Sequence, residues 1–136
     1  MKRILVGFDG SEGAENALNK AMMLIDEDGE IIILAIVPKP SDHNLVDEKT
    51  YEVLKLRAHN IINTVTRDIG DHEFTITGMI KEGEDIAAVI IDLANELHCD
   101  LIVLGSKGSS SLGKYPLGSV ANKVVQYAAK PVMVVR

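Results

Sequence analysis

Ile31-Ile32-Ile33-Leu34-Ala35-Ile36-Val37 is apolar at every position and rich in β-branched side chains. A run without a polar face reads as a strand covered on both sides, as in the interior of a parallel sheet. Pro38 and Pro40 end it, since proline cannot donate to a ladder. Working outward, Ile4 to Phe8 is a shorter apolar run closed by the turn residues Asp9-Gly10-Ser11. Between the two, Ala14, Ala17, Leu18, Ala21, Leu24 and Ile25 recur at helical spacing. Ser11 or Glu12 stands where that helix begins, and Asp26-Glu27-Asp28-Gly29 stops it. The acidic stop places its glycine too early for a calcium loop.

Beyond the prolines, Tyr51, Leu54, Ala58, Ile61, Val65 and Ile69 mark the stripe of a long helix ending at Gly70. Phe74, Ile76 and Gly78 alternate with Thr75, Thr77 and Met79, a strand with one face less apolar than the other. Ile86, Val89, Ile90, Leu93, Ala94 and Leu97 form a third helical stripe, with Glu84 or Asp85 suited to its start. Leu101 to Leu104 is a fourth strand, followed by a Gly- and Ser-rich loop from Gly105 to about Leu117. Val120, Val124 and Ala128 line a last helix, and Pro131 to Val135 is a fifth strand. The runs Asp26-Glu27-Asp28 and Lys81-Glu82-Gly83-Glu84-Asp85 read as solvated turns, and Met22, Met23 and Met79 as core filler.

Strict βα alternation predicts a doubly wound α/β fold: a five-stranded parallel sheet with four helices on both faces. The order 2-1-3-4-5 would put the mixed third strand in the centre and the wholly apolar second strand at an edge. The order 3-2-1-4-5 does the reverse and fits the patterning. It leaves Val132-Met133-Val134-Val135 as an apolar edge that invites pairing with a second copy of the chain. The length of 136 residues fits one domain over 1–136. With 14 Lys and Arg against 20 Asp and Glu, the net charge is −6. That argues against non-specific nucleic-acid binding and against anionic membrane surfaces. A lone cysteine, Cys99, excludes an internal disulfide. Asp9 interrupts what begins like a signal peptide, and no run is long enough to span a bilayer, so the expected compartment is the cytoplasm.

In open α/β sheets ligands bind beyond the carboxyl ends of the strands, where the strand order reverses. Here that point lies between the first and fourth strands. Asp9-Gly10-Ser11 and Gly105-Ser106-Lys107-Gly108 face each other there. The loop then runs into Gly118-Ser119 at the last helix, where glycines and a helix N-terminus suit an anion and Ser119 is a natural N-cap. Gly108 and Gly113-Lys114 nearly spell a P-loop, but Tyr115 stands where magnesium needs Ser or Thr.

Gly105, Gly108 and Gly118-Ser119, with two and nine residues between them, together with Ile4 to Ser11 and Pro131 to Arg136, resemble the signature of the ATP-binding branch of the universal stress protein family. The resemblance covers essentially the whole chain. It implies that Asp9 holds the ribose or a divalent ion, Mg2+ or Mn2+, associated with the phosphates. It implies that Val37 meets the adenine edge through its backbone. Gly105, Gly108, Gly118 and Ser119 would cradle ribose and phosphates, with Gly10, Ser11, Ser106, Lys107 and Val120 close by. Ala121 departs from the Ser or Thr that ATP-binding members often carry, which removes one phosphate hydrogen bond. The resemblance also points to a homodimer through residues 131–135.

Each residue also has a plain structural reading: Asp9 as a turn or helix cap, the glycines as turn residues, and His43, His59, His72 and His98 as scattered side chains without metal spacing. No catalytic residues emerge from spacing. The leading expectation is therefore a nucleotide-dependent regulatory protein of stress response. Its alternatives are a slow ATPase or phosphotransfer enzyme of the nucleotide α-hydrolase type, and a nucleotide-free partner-binding protein of the same fold. A phospho-accepting receiver is excluded, because Asp9 lacks an acidic neighbour and the third strand has no terminal Asp.

Overall fold

The computed structural model describes residues 1–40, 46–106 and 117–136. Its elements are β1 (Arg3–Gly7), α1 (Glu12–Leu24), β2 (Glu30–Pro38), α2 (Glu48–Ile69), β3 (Thr75–Gly83), α3 (Ile86–Glu96), β4 (Leu101–Gly105), α4 (Ser119–Tyr127) and β5 (Val132–Val135). The strands form one five-stranded sheet in the order β3-β2-β1-β4-β5, every pair parallel. The order read from the apolar second strand is the observed one.

β2 lies inside the sheet because neither of its faces tolerates water. Ile31, Ile33, Ala35 and Val37 pack in a core with Ala14, Ala17 and Leu18 of α1 and Ala58 and Ile62 of α2. Ile32 and Leu34 pack on the opposite face with Ala87, Ile90 and Leu93 of α3 and Ala121 and Val124 of α4. Full burial of each such Val, Leu or Ile side chain contributes about 1.5–3 kcal/mol. β3 at one edge is half-exposed along its length, as its threonines and lysine require. It is longer than its apolar residues suggest: Lys81, Glu82 and Gly83 continue the ladder to Pro38 rather than forming a solvated turn. The register leaves β2 longer than β1, whose last partner is Gly7↔Leu34. Residues 35–38 thus run past the end of β1.

Each of the first three helices starts on a side-chain cap. Ser11 caps α1 by accepting from the Ala14 amide, Asp47 caps α2 through Thr50, and Asp85 caps α3 through Ala88. α2 begins a turn earlier than its apolar stripe because Asp47 supplies that cap. At the opposite end of the sheet, the Asp100 carboxylate accepts from the Lys2 and Arg3 amides at 2.8 and 3.0 Å. The acidic turn after α1 is paired rather than merely solvated: Asp26 holds the N-terminal ammonium at 2.7 Å, and Asp28 holds Lys2. Met22 packs against the core, but Met23 is 76% exposed and fills nothing. No helix among the described residues is long and apolar enough to cross a membrane.

Candidate functional site

β1 ends at Gly7, and the chain turns through Phe8, Asp9 and Gly10 into α1. Gly10 has φ +82°, a conformation L side chains rarely adopt, so glycine is required there on backbone grounds. Asp9 Oδ1 accepts the Ser11 amide at 3.0 Å. This fixes the turn and holds the carboxylate at the carboxyl end of the sheet.

Across the strand-order reversal, β4 delivers Gly105 and Ser106. Ser106 is buried and clamped: its amide donates to the Val135 carbonyl at 2.8 Å, and its own carbonyl accepts from the Gly118 amide. That clamp sets the start of α4. Gly118, not Ser119, occupies the N-cap position, with φ −71° and ψ 167°. Ser119 is the first helical residue, so its hydroxyl is not spent on capping. Among the described residues no side chain caps α4. The amides of Ser119, Val120 and Ala121 lie in the first turn, where a helix has no carbonyl of its own to offer them. The N-terminal end of the helix dipole adds about half a positive charge.

These segments line one cleft of about 620 Å³. Its floor is formed by Gly7, Phe8, Leu34, Ala35, Ile36 and Leu104, one rim by Asp9 and Ser11, and another by Ser106, Gly118, Ser119 and Val120. Of the residues singled out in the sequence, the structure therefore brings together Asp9, Ser11, Gly105, Ser106, Gly118, Ser119 and Val120. Gly10 faces a separate groove between α1 and α2. Lys107 and Gly108, with Gly113, Lys114 and Tyr115 of the near P-loop, lie outside the described residues.

Val37 is placed differently from the expectation. Its side chain is fully buried beneath α1 and α2. The ladder also decides where its backbone points. Leu34 accepts from Phe8 of β1, whereas Lys39 donates to Gly83 at the end of β3. A residue's N–H and C=O leave a strand on the same side, and that side alternates. Even-numbered residues of β2 thus address β1, and odd-numbered ones address β3. Beyond the end of β1, Ile36 turns its amide and carbonyl toward the cleft, and Val37 turns its own toward β3.

The sequence reading also missed the α2 wall: Leu54, Arg57, Ala58 and Ile61 line the cleft. The signal was present, because Arg57 falls between members of the apolar stripe and belongs to the same helical face. The first turns of α2 are tied to the end of β3. Tyr51 Oη donates to Glu82 Oε1 at 2.6 Å, and Lys55 approaches the same carboxylate at 4.0 Å. The hydrogen bond to the Glu82 carboxylate pushes the Tyr51 phenol up to about 12. Among the described residues no group of three or more His, Cys, Asp or Glu could hold a metal ion. Asp9 is the single carboxylate of the described cleft wall, a donor set that suits a divalent ion carried by a ligand rather than one held by the protein alone.

A protein of Staphylococcus aureus (strain USA300) bearing the universal stress protein name is 28% identical over 141 residues, covering 99% of this chain and 84% of its own. Among solved structures, hypothetical protein MJ0577 superimposes with a TM-score of 0.83 at 29% identity, over 98% of this chain and 94% of that one. Universal stress protein UspA from Lactobacillus plantarum gives 0.81 at 25% identity, over 99% and 97%. The universal stress protein family model matches residues 1–136. By fold and by sequence, the chain belongs to the universal stress protein family.

Proposed function

We propose that the cleft binds an adenine nucleotide, ATP in the first place, and that the protein acts as a nucleotide-dependent switch in a stress response. One observation carries the reading: the first turn of α4, which no described side chain caps, and the Asp9 carboxylate border the same cleft at the strand-order reversal. In this reading the amides of Ser119, Val120 and Ala121 and the Ser119 hydroxyl take phosphate oxygens. Asp9 takes the ribose, or a Mg2+ or Mn2+ ion that arrives with the phosphates. Gly105 and Gly118 border the ligand, and Lys107 and Gly108 extend the phosphate loop. Ile36 replaces Val37 at the adenine edge, since its backbone groups are the ones turned toward the cleft. Ala121 lacks a hydroxyl, which removes about 1 kcal/mol or somewhat more of phosphate bonding.

Support comes also from relatives of the same fold. A universal stress protein has been solved in complex with cAMP, and one from Arabidopsis thaliana with AMP bound. At 21% and 15% identity their likeness extends to the fold. Calorimetric titration of ATP with magnesium into the wild type and Gly118→Val tests the reading. The Gly118 backbone is extended, a conformation open to any residue, so the substitution adds no backbone strain, and its branched Cβ is expected to block phosphate approach. Loss of binding with native circular dichroism supports the site; equal affinity places it elsewhere. Chromatography of a long ATP incubation separates a switch from a slow ATP hydrolase or phosphotransferase.

The same reading includes a homodimer through β5. The Ile102 and Ser106 amides donate to the Pro131 and Val135 carbonyls, so odd-numbered residues face β4. Val132 and Val134 turn their backbone groups outward along an edge without a charged side chain in its interior. An antiparallel copy about a two-fold axis satisfies them.

A further inference from the structure

Asp9 and Arg57 are the only charged side chains in the described wall of the cleft. A chain of net charge −6 that takes up a polyanion needs cations at the point of contact, because like charges otherwise oppose the encounter. Arg57 is placed to act there. A Cβ built on Gly10 would meet Ile61 Cδ1 at 3.3 Å, so α2 passes directly against the turn that carries Asp9. Arg57 precedes Ile61 by four residues, about one helical turn, toward the start of α2 at the carboxyl end of the sheet. It therefore sits over the cleft rim, on the side opposite α3 and its Ile86 and Ile90. The Tyr51–Glu82 hydrogen bond and the Lys55–Glu82 pair hold this part of α2 to β3. Among the described residues the Arg57 guanidinium makes no ion pair or side-chain hydrogen bond. Its neighbour Lys55 is by contrast already engaged with Glu82 and the Tyr51 ring.

We infer that Arg57 is a specificity-determining residue of the cleft, whose guanidinium binds the phosphates of the nucleotide from the α2 rim while the α4 amides bind them from the other. This inference rests on the nucleotide reading above and deepens it: the ligand class is set by phosphate charge as well as by the base. A planar guanidinium offers paired N–H donors to phosphate oxygens, and such charge-assisted bonds are among the stronger ones.

The test is calorimetric titration of ATP, AMP and adenosine against the wild type, Arg57→Gln and Arg57→Lys, at low and high salt. Glutamine and lysine are good helix formers, so α2 is retained. Arg57→Gln should lower ATP affinity about tenfold or more, affect AMP less and leave adenosine unchanged. Arg57→Lys should recover part of the loss. The difference between wild type and Arg57→Gln should shrink at high salt, where exposed charges are screened. ATP affinity equal in wild type and Arg57→Gln overturns the assignment, as does an equal loss for adenosine and ATP. In either case binding by the wild type leaves the nucleotide reading standing. A wild type that binds none of the three removes both.

Discussion

Gly105, the last residue of β4, packs against the backbone of Gly13 in the first turn of α1. A Cβ built on Gly105 would lie 2.7 Å from the Gly13 carbonyl carbon and 2.9 Å from its oxygen. Gly105 has no positive φ, so its glycine is required by this close approach and not by turn geometry. The contact sets how near α1 lies to β4, and with it the separation of the Asp9 turn from Ser106 across the cleft.

Gly105→Ala should therefore destabilise the fold by about 1–3 kcal/mol, the usual cost of overpacking against rigid backbone. Helix backbone at Gly13 has no flexible end that could give way. Thermal denaturation checks this, with a fall of several degrees expected. A melting temperature equal to wild type would show that α1 yields freely.

Most of the fold was legible because burial leaves its mark on β2. A strand with no polar position belongs inside, and Thr75 and Thr77 mark β3 as an edge. Ser11 and Asp85 were each legible as one of two candidates for a helix start, because short acceptors there have a local purpose. Ser119 looked like another cap, but the clamp between Gly118 and Ser106 depends on β4 and β5, which are distant in sequence. Val37 turns its backbone to β3 and not to the cleft, which no local pattern shows because the direction depends on register with β1 and β3. Arg57 was overlooked because a stripe read only from apolar positions omits a charged residue on the same face.

His98 follows α3 with φ 52°. It is the one non-glycine residue with positive φ among those described, and its side chain is exposed. His98→Gly should raise stability by about 1 kcal/mol through relief of the left-handed strain. Chemical denaturation with an unchanged slope and a higher midpoint would bear this out; a lower midpoint would show that the imidazole contributes more than the strain costs.

Stability should decline on acidification. The Lys2 and Arg3 amides hold the Asp100 carboxyl below its usual range, and the Thr50 amide does the same for Asp47. A carboxyl depressed in the folded state contributes fully above its unfolded value of about 4 and loses that contribution as pH falls through the lower folded value. Tyr51 has the opposite sign. Raised to about 12 by Glu82, its contribution is intact below its ordinary value of about 10 and is lost as pH climbs toward the folded value. Denaturation midpoints across pH should show an acid decline that is shallower in Asp100→Asn and an alkaline decline that is shallower in Tyr51→Phe. Unchanged slopes in both would contradict these assignments.

Val134→Pro should convert the proposed dimer to monomer while leaving the sheet intact. Its amide points away from β4, so the substitution removes an outward donor and none of the β4 ladder. Light scattering of the wild type should give about twice the chain mass of 14.8 kDa and of the variant about that mass. A variant that remains dimeric with native circular dichroism would place the interface elsewhere.

Nucleotide binding in the β1–β4 cleft can be read from thermal denaturation with added ATP. Ligand at about a hundred times its dissociation constant adds ~2.7 kcal/mol to the folded state, which for a chain of this size raises the melting temperature by several degrees. That rise is expected with ATP and magnesium or manganese, and is expected to be lost in Gly118→Val. A melting temperature unmoved by millimolar ATP, with and without either ion, would contradict it.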